Sequence, residues 1–158
     1  MSDVIEWSPG QVWPPSRLTG SVILSIKDAL SPSQTLALTA WGEARSRLDR
    51  GRWGPNPVEA MADIMNVVQN RATDVRWIRK GFKGACLQRW AFSCWEPRGG
   101  PDDPRDDDDL SENFEAVMLK AQQIMAGNDP GELLGALLAI ADRMTSGGCE
   151  DQLFGATN

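Results

Sequence analysis

"SPSQTLALTAWGEARS", residues 31–46, decides how the rest of the chain is read. Ser31 has the side chain of an N-cap and Pro32 suits the first helical position, so a helix is predicted from here to about Arg47. Glu43 falls seven, four and three residues after Leu36, Thr39 and Ala40, on one helical face. That face should point into protein, where a carboxylate is costly unless paired or neutralised. Two readings are open. Glu43 is a structural partner of Arg47 one turn on, or it is a carboxyl held partly dry with a raised pKa, as a general acid needs.

Outward from this helix, "GRWGPNP" breaks the chain and Asn56-Pro57 begins a second one. Asn56 and Glu59 have capping-box spacing, and Val58, Met61, Met65 and Val68 recur at helical spacing to about Arg71. Upstream, "SVILSIKDAL" (21–30) reads equally as a short helix or a strand. Residues 1–20 alternate prolines and glycines with Trp7 and Trp13. They are read as an extended segment whose tryptophans lie on the domain or on a partner.

Residues 73–101 are irregular, with "RWAFSCW" (89–95) as the candidate strand. "PDDPRDDDD" (101–109) is an acidic loop without the alternation and glycine of an EF-hand, so it is read as a solvated run ahead of the next helix. That helix, about 110–126, should bury Phe114, Val117, Met118, Ala121 and Met125 and stop at Gly127. A last helix, about 131–144, carries Leu133, Leu134, Leu137, Leu138 and Ala141, and 145–158 is loop or short strand. The expected fold is mainly α (α+β), with residues 21–158 as one domain on one core.

Composition removes several functions. The chain has no histidine. Ser-His-Asp and Cys-His hydrolases need imidazole as base, and zinc hydrolases nearly always need it as ligand. Cys86, Cys94 and Cys149 have no CxxC spacing and are read as reduced, buried thiols. No metal and no cofactor is expected. A net charge of −6 argues against an electrostatic grip on nucleic acid or an anionic membrane. No apolar run approaches the length of a membrane span, and "MSDVIEWSPG" is not a secretory signal. The protein is therefore expected to be made in the cytoplasm and to leave it, if at all, by another route.

Carboxylate chemistry remains. Besides "AWGEAR", two polar constellations interrupt the apolar order: "NVVQNRA", with Asn70 and Arg71 near a helix end, and "RWAFSCW", whose Trp90, Phe92, Ser93 and Trp95 suit a groove wall. Helix capping and ordinary strand packing explain the same residues equally well. One glutamate with aromatic and amide groups suits a sugar polymer, since rings stack on pyranose faces and amides bind hydroxyl and acetamido groups.

"LALTAWGEAR", "MADIMNVVQNRA", "LQRWAFSCW" and "FGAT", in that order, resemble the SleB/CwlJ-type cell wall hydrolases, which include spore-cortex-lytic enzymes and phage lysis proteins. The resemblance covers residues 33–157. It implies a lysozyme-like, mainly helical domain with a small β-sheet or hairpin, acting on peptidoglycan at the MurNAc–GlcNAc bond. Glu43 would be the catalyst, and Asn70, Phe92, Ser93, Gly155, Ala156 and Thr157 would line the groove. The family commonly continues past "GAT" with histidine or tyrosine, where this chain has Asn158, and the acidic 102–109 insertion is foreign to its pattern. An enzyme of this kind without a signal implies release through a membrane lesion, or delivery in a phage-like particle that residues 1–20 could dock.

Overall fold

The structure, a computed structural model, describes residues 10–14, 17–49, 57–73, 81–88, 91–97 and 111–146. The described residues form six helices and no strand: α1 (Gly20–Ala29), α2 (Pro32–Asp49), α3 (Pro57–Thr73), α4 (Gly81–Leu87), α5 (Glu112–Met125) and α6 (Glu132–Ser146). The mainly α expectation holds. None of these helices is long and apolar enough to cross a membrane.

Helix α2 is the axis around which α3, α4, α5 and α6 pack. Its start is tied by a reciprocal capping box: the Gln34 backbone N–H donates to Ser31 Oγ at 3.1 Å, and the Ser31 N–H to Gln34 Oε1 at 2.9 Å. From Thr35 to Ala40 every residue is buried, because α3, α4, α5 and α6 all contact this helix. A stretch surrounded in this way meets no solvent, so its two threonines bond within the helix. Thr35 Oγ1 donates to the Ser31 carbonyl at 2.8 Å, and Thr39 Oγ1 to the Thr35 carbonyl at 2.7 Å.

The outer helices each contribute one buried stripe. Val22 and Ile26 of α1, with Leu30 just beyond it, settle residues 21–30 as a helix rather than a strand. Thr19 caps it. On α3 the stripe is Met61, Met65, Val68 and Ala72. The Ser111 hydroxyl accepts from the Phe114 N–H at 3.0 Å and starts α5, which buries Phe114, Val117, Met118 and Ala121. Gly127 ends α5 at φ 84°, a conformation that favours glycine. Leu134, Leu137 and Ala141 carry α6 into the same core, with Leu133, Leu138 and Met125 packed partly buried against it.

Two expectations need correction. The stretch 73–101 is not wholly irregular, because it contains α4, whose Phe82, Ala85 and Cys86 are buried. Nor is "RWAFSCW" a strand among its described residues. Ser93–Trp95 form a 3-10 turn, closed by the Trp95 N–H to Phe92 O at 3.2 Å and the Glu96 N–H to Ser93 O at 3.0 Å. A strand needs a partner backbone, and this segment has helices α2 and α5 against it instead. Phe92, Cys94 and Trp95 all turn inward, which a period of two does not permit.

Of the N-terminal segment, residues 10–14 lie on the domain. Gln122 of α5 accepts from the Trp13 backbone N–H and donates through Nε2 to the Trp13 carbonyl at 3.2 Å, so Trp13 docks on its own chain. Trp7, Trp90, Asn56, Cys149 and the acidic 102–109 loop lie outside the described residues.

One polar link ties α2 to the 3-10 turn. The buried Trp95 indole N–H donates to Thr39 Oγ1 at 2.8 Å. Thr39→Val keeps the shape and strands the indole donor. Denaturant unfolding should show a loss of about 1–3 kcal/mol, which Thr39→Ser largely restores. Equal stability of the valine variant would show that the link contributes nothing.

Candidate functional site at Glu43

The last turns of α2 would be ordinary buried helix but for Gly42 and Glu43. A Cβ at Gly42 would lie 2.6 Å from Val117 Cγ2, 2.9 Å from Cys94 Cβ and 3.1 Å from Cys94 Sγ. Glycine therefore lets α5 and the 3-10 turn press directly on the α2 backbone. Asn113 of α5 adds a hydrogen bond from Nδ2 to the Gly42 carbonyl at 2.6 Å. This packing brings the turn, fifty residues later in the chain, beside Glu43.

Glu43 is half-buried and lines a cavity of about 360 Å³ together with Ile64, Val67, Phe92 and Ser93. Glu43 is the one ionisable side chain among these lining residues. Phe92 supplies an aromatic face, Ser93 an exposed hydroxyl, and α3 the apolar pair Ile64 and Val67. Cys94, next to Ser93, is fully buried, with its Sγ 4.0 Å from the Thr39 carbonyl. Arg71 of α3 places its guanidinium 5.0 Å from the centroid of the Phe92 ring.

Both described thiols are buried. Burial pushes Cys86 up to about 12, against smaller opposing effects of Thr39 and Arg71. Burial, then the charge of Glu43, holds Cys94 well above the ordinary thiol range. Neither forms a thiolate near neutral pH, so neither is a nucleophile. Among the described residues no group of three His, Cys, Asp or Glu could hold a metal ion.

Three of the residues singled out from the sequence thus meet around one cavity: Glu43, Phe92 and Ser93. Asn70 does not line it; it is exposed on α3, one turn beyond Val67. Gly155, Ala156 and Thr157 lie outside the described residues, as does the side chain of Arg47, the alternative partner of Glu43. Sequence reasoning missed Ile64, Val67 and the place of Arg71. Their signal is a second stripe on α3, at i, i+3 and i+7, beside the buried methionine stripe. Val67 is 46% exposed, an apolar side chain with no place in the core. No family model, curated protein or solved structure matches the chain.

Proposed function

We propose that this protein cleaves peptidoglycan glycan strands at the MurNAc–GlcNAc bond as a lytic transglycosylase, with Glu43 as its single acid–base group. The observation that carries the reading is a carboxyl, the one ionisable group among the described lining residues, at a cavity walled by an aromatic ring, two aliphatic side chains and a hydroxyl. Apolar walls suit the C–H faces of pyranose rings. Two-carboxylate hydrolysis needs a second acid across the scissile bond, and the described lining has none.

One carboxyl suffices for the transglycosylase route. Protonated Glu43 gives its proton to the glycosidic oxygen as the bond to muramoyl C1 breaks. The resulting carboxylate takes the proton of the muramoyl C6 hydroxyl as O6 attacks C1. The acid is regenerated, a 1,6-anhydro sugar forms and no water is consumed. Ser93 and Phe92, which line the cavity, hold the sugar. The helices around α2 belong in this proposal to a lysozyme-like domain, and any small sheet or hairpin it has lies outside the described residues. Such an enzyme reaches the wall through a membrane lesion or in a phage-like particle.

Mass spectrometry of digested purified peptidoglycan tests the reaction. The expected products end in 1,6-anhydromuramic acid. Reducing MurNAc ends alone would make the protein a hydrolytic muramidase. Binding without cleavage would make it a wall-binding or virion component, and released peptides or new amino groups would remove glycan cleavage altogether.

A further inference from the structure

The proposed reaction leaves one charge beside the cavity unexplained. On α3 the lining residues Ile64 and Val67 are followed at helical spacing by Arg71, on the same face and about 6 Å further along the axis. The Arg71 guanidinium lies 5.0 Å from the centroid of the Phe92 ring, itself part of the cavity wall. Arg71 therefore stands at the edge of the cavity. Its side chain is partly exposed, and among the described residues it forms no hydrogen bond and no ion pair. Contact with a ring leaves most of a guanidinium's N–H donors unused. The nearby Cys86 thiol is held neutral and supplies no counter-charge. Other cations are placed differently. Lys27 donates to the Trp95 carbonyl at 3.1 Å, and Lys83 to the Asp28 and Leu30 carbonyls at 3.0 and 2.6 Å. Arg45 and Lys120 lie over Trp41, which does not line the cavity.

We propose that Arg71 is a substrate-binding residue that takes a carboxylate on the 3-O substituent of the muramoyl sugar. The assignment rests on the reading of the cavity as a glycan groove, and it supplies a reason for choosing MurNAc over GlcNAc. The two sugars differ only in that substituent, a lactyl ether whose carboxyl is either free or continued as a peptide. In the first case the carboxylate belongs to the ether, in the second to the peptide. A planar guanidinium pairs with either in the same way, through parallel N–H donors. Glu43 gives the cavity lining a negative charge, so an anionic ligand settles with its carboxylate toward Arg71 and away from Glu43. The same cation offsets, at this edge, a net charge of −6 that otherwise repels an acidic glycan.

NMR titration with disaccharides tests the site apart from catalysis, because none of the probes contains a MurNAc–GlcNAc bond to cut. The probes are chitobiose, peptide-free GlcNAc–MurNAc, and GlcNAc–MurNAc carrying an L-Ala-D-Glu dipeptide. Wild type should bind a muramoyl probe about tenfold more tightly than chitobiose, the effect of one charged hydrogen-bonded contact. A preference for the peptide-free probe makes the lactyl carboxylate the ligand; a preference for the dipeptide probe makes it a peptide carboxylate. Arg71→Met should abolish the preference and leave chitobiose binding in place, while Arg71→Lys should keep part of it. Absent or equal binding of all three probes, or a preference that survives Arg71→Met, overturns the proposal. Arg71 also lies in the last turn of α3, where a cation favours the helix. If Arg71→Met fails to fold for that reason, wild type decides: the preference should shrink as salt rises, and a salt-independent preference overturns the proposal. Wall lysis by wild type is scored separately. Lysis without the preference removes this site alone, whereas the preference without lysis removes glycan cleavage and keeps the site.

Discussion

On the proposed reading, Glu43→Gln is expected to slow wall lysis at least about a thousandfold and to melt no lower than wild type. The two halves of that result have different causes. General acid–base groups contribute about 10²–10⁴-fold, and the loss of a sole such group belongs at the upper end. Glutamine keeps the size of glutamate and most of its hydrogen-bonding capacity, but it neither delivers nor removes the proton. Its stability is protected because the site is apolar on three sides, from Ile64, Val67 and Phe92, and a neutral amide is easier to keep there than a charge. Turbidity clearing of wall suspensions and thermal melting measure the two halves separately. The competing reading, an ion pair with Arg47, expects the reverse: lower stability, with activity proportional to folded protein. A Gln variant that is folded and still lytic would return Glu43 to that structural role. Arg47→Ala should be mild in both measurements.

Gly42→Ala is expected to destabilise the protein by about 2 kcal/mol or more, although alanine is the better helix former. Helix propensity alone favours the change by about 1 kcal/mol. Against it stands the added methyl, 2.6 Å from Val117 Cγ2 and 2.9 Å from Cys94 Cβ. Neither neighbour is the free end of a flexible chain. Valine is stiff at χ1, and a Cβ moves only with its backbone. Relief therefore requires α5 or the 3-10 turn to back away from α2. Because that turn also carries Phe92 and Ser93, residual lysis by the folded fraction should fall as well. Denaturant unfolding gives the first number and activity per folded molecule the second. A Gly42→Ala protein as stable as wild type would show that α2 has room at this position and that glycine there is incidental.

Local signals made much of this legible. Ser31 and Pro32 announce the start of α2, Gly127 announces the end of α5, and the stripes of α3, α5 and α6 identify their buried faces, because capping and amphipathic periodicity act within a few turns of one helix. The absence of histidine removed whole classes of chemistry before any fold was known. Glu43 stood out for a similarly local reason, as a carboxylate on an otherwise apolar face.

What the tertiary structure decided depends on residues distant in the chain. Helix α4, "GFKGACL", is too short and too rich in glycine to form on propensity, and it exists because Phe82, Ala85 and Cys86 are buried in the shared core. "RWAFSCW" has the composition of a strand but finds α2 and α5 beside it, so Ser93–Trp95 close their hydrogen bonds locally as a 3-10 turn. The sequence marks Gly42 only as a weak helix former. Its need appears once Val117, seventy-five residues on, and Cys94, fifty-two residues on, are seen against it. The setting of Glu43 is of the same kind: its own helix places the carboxyl, but the ring, the hydroxyl and the aliphatic side chains that line the cavity with it come from other elements. Periodicity reports which side of a helix is covered, whereas a site is set by what covers it, and that is settled only when the helices pack.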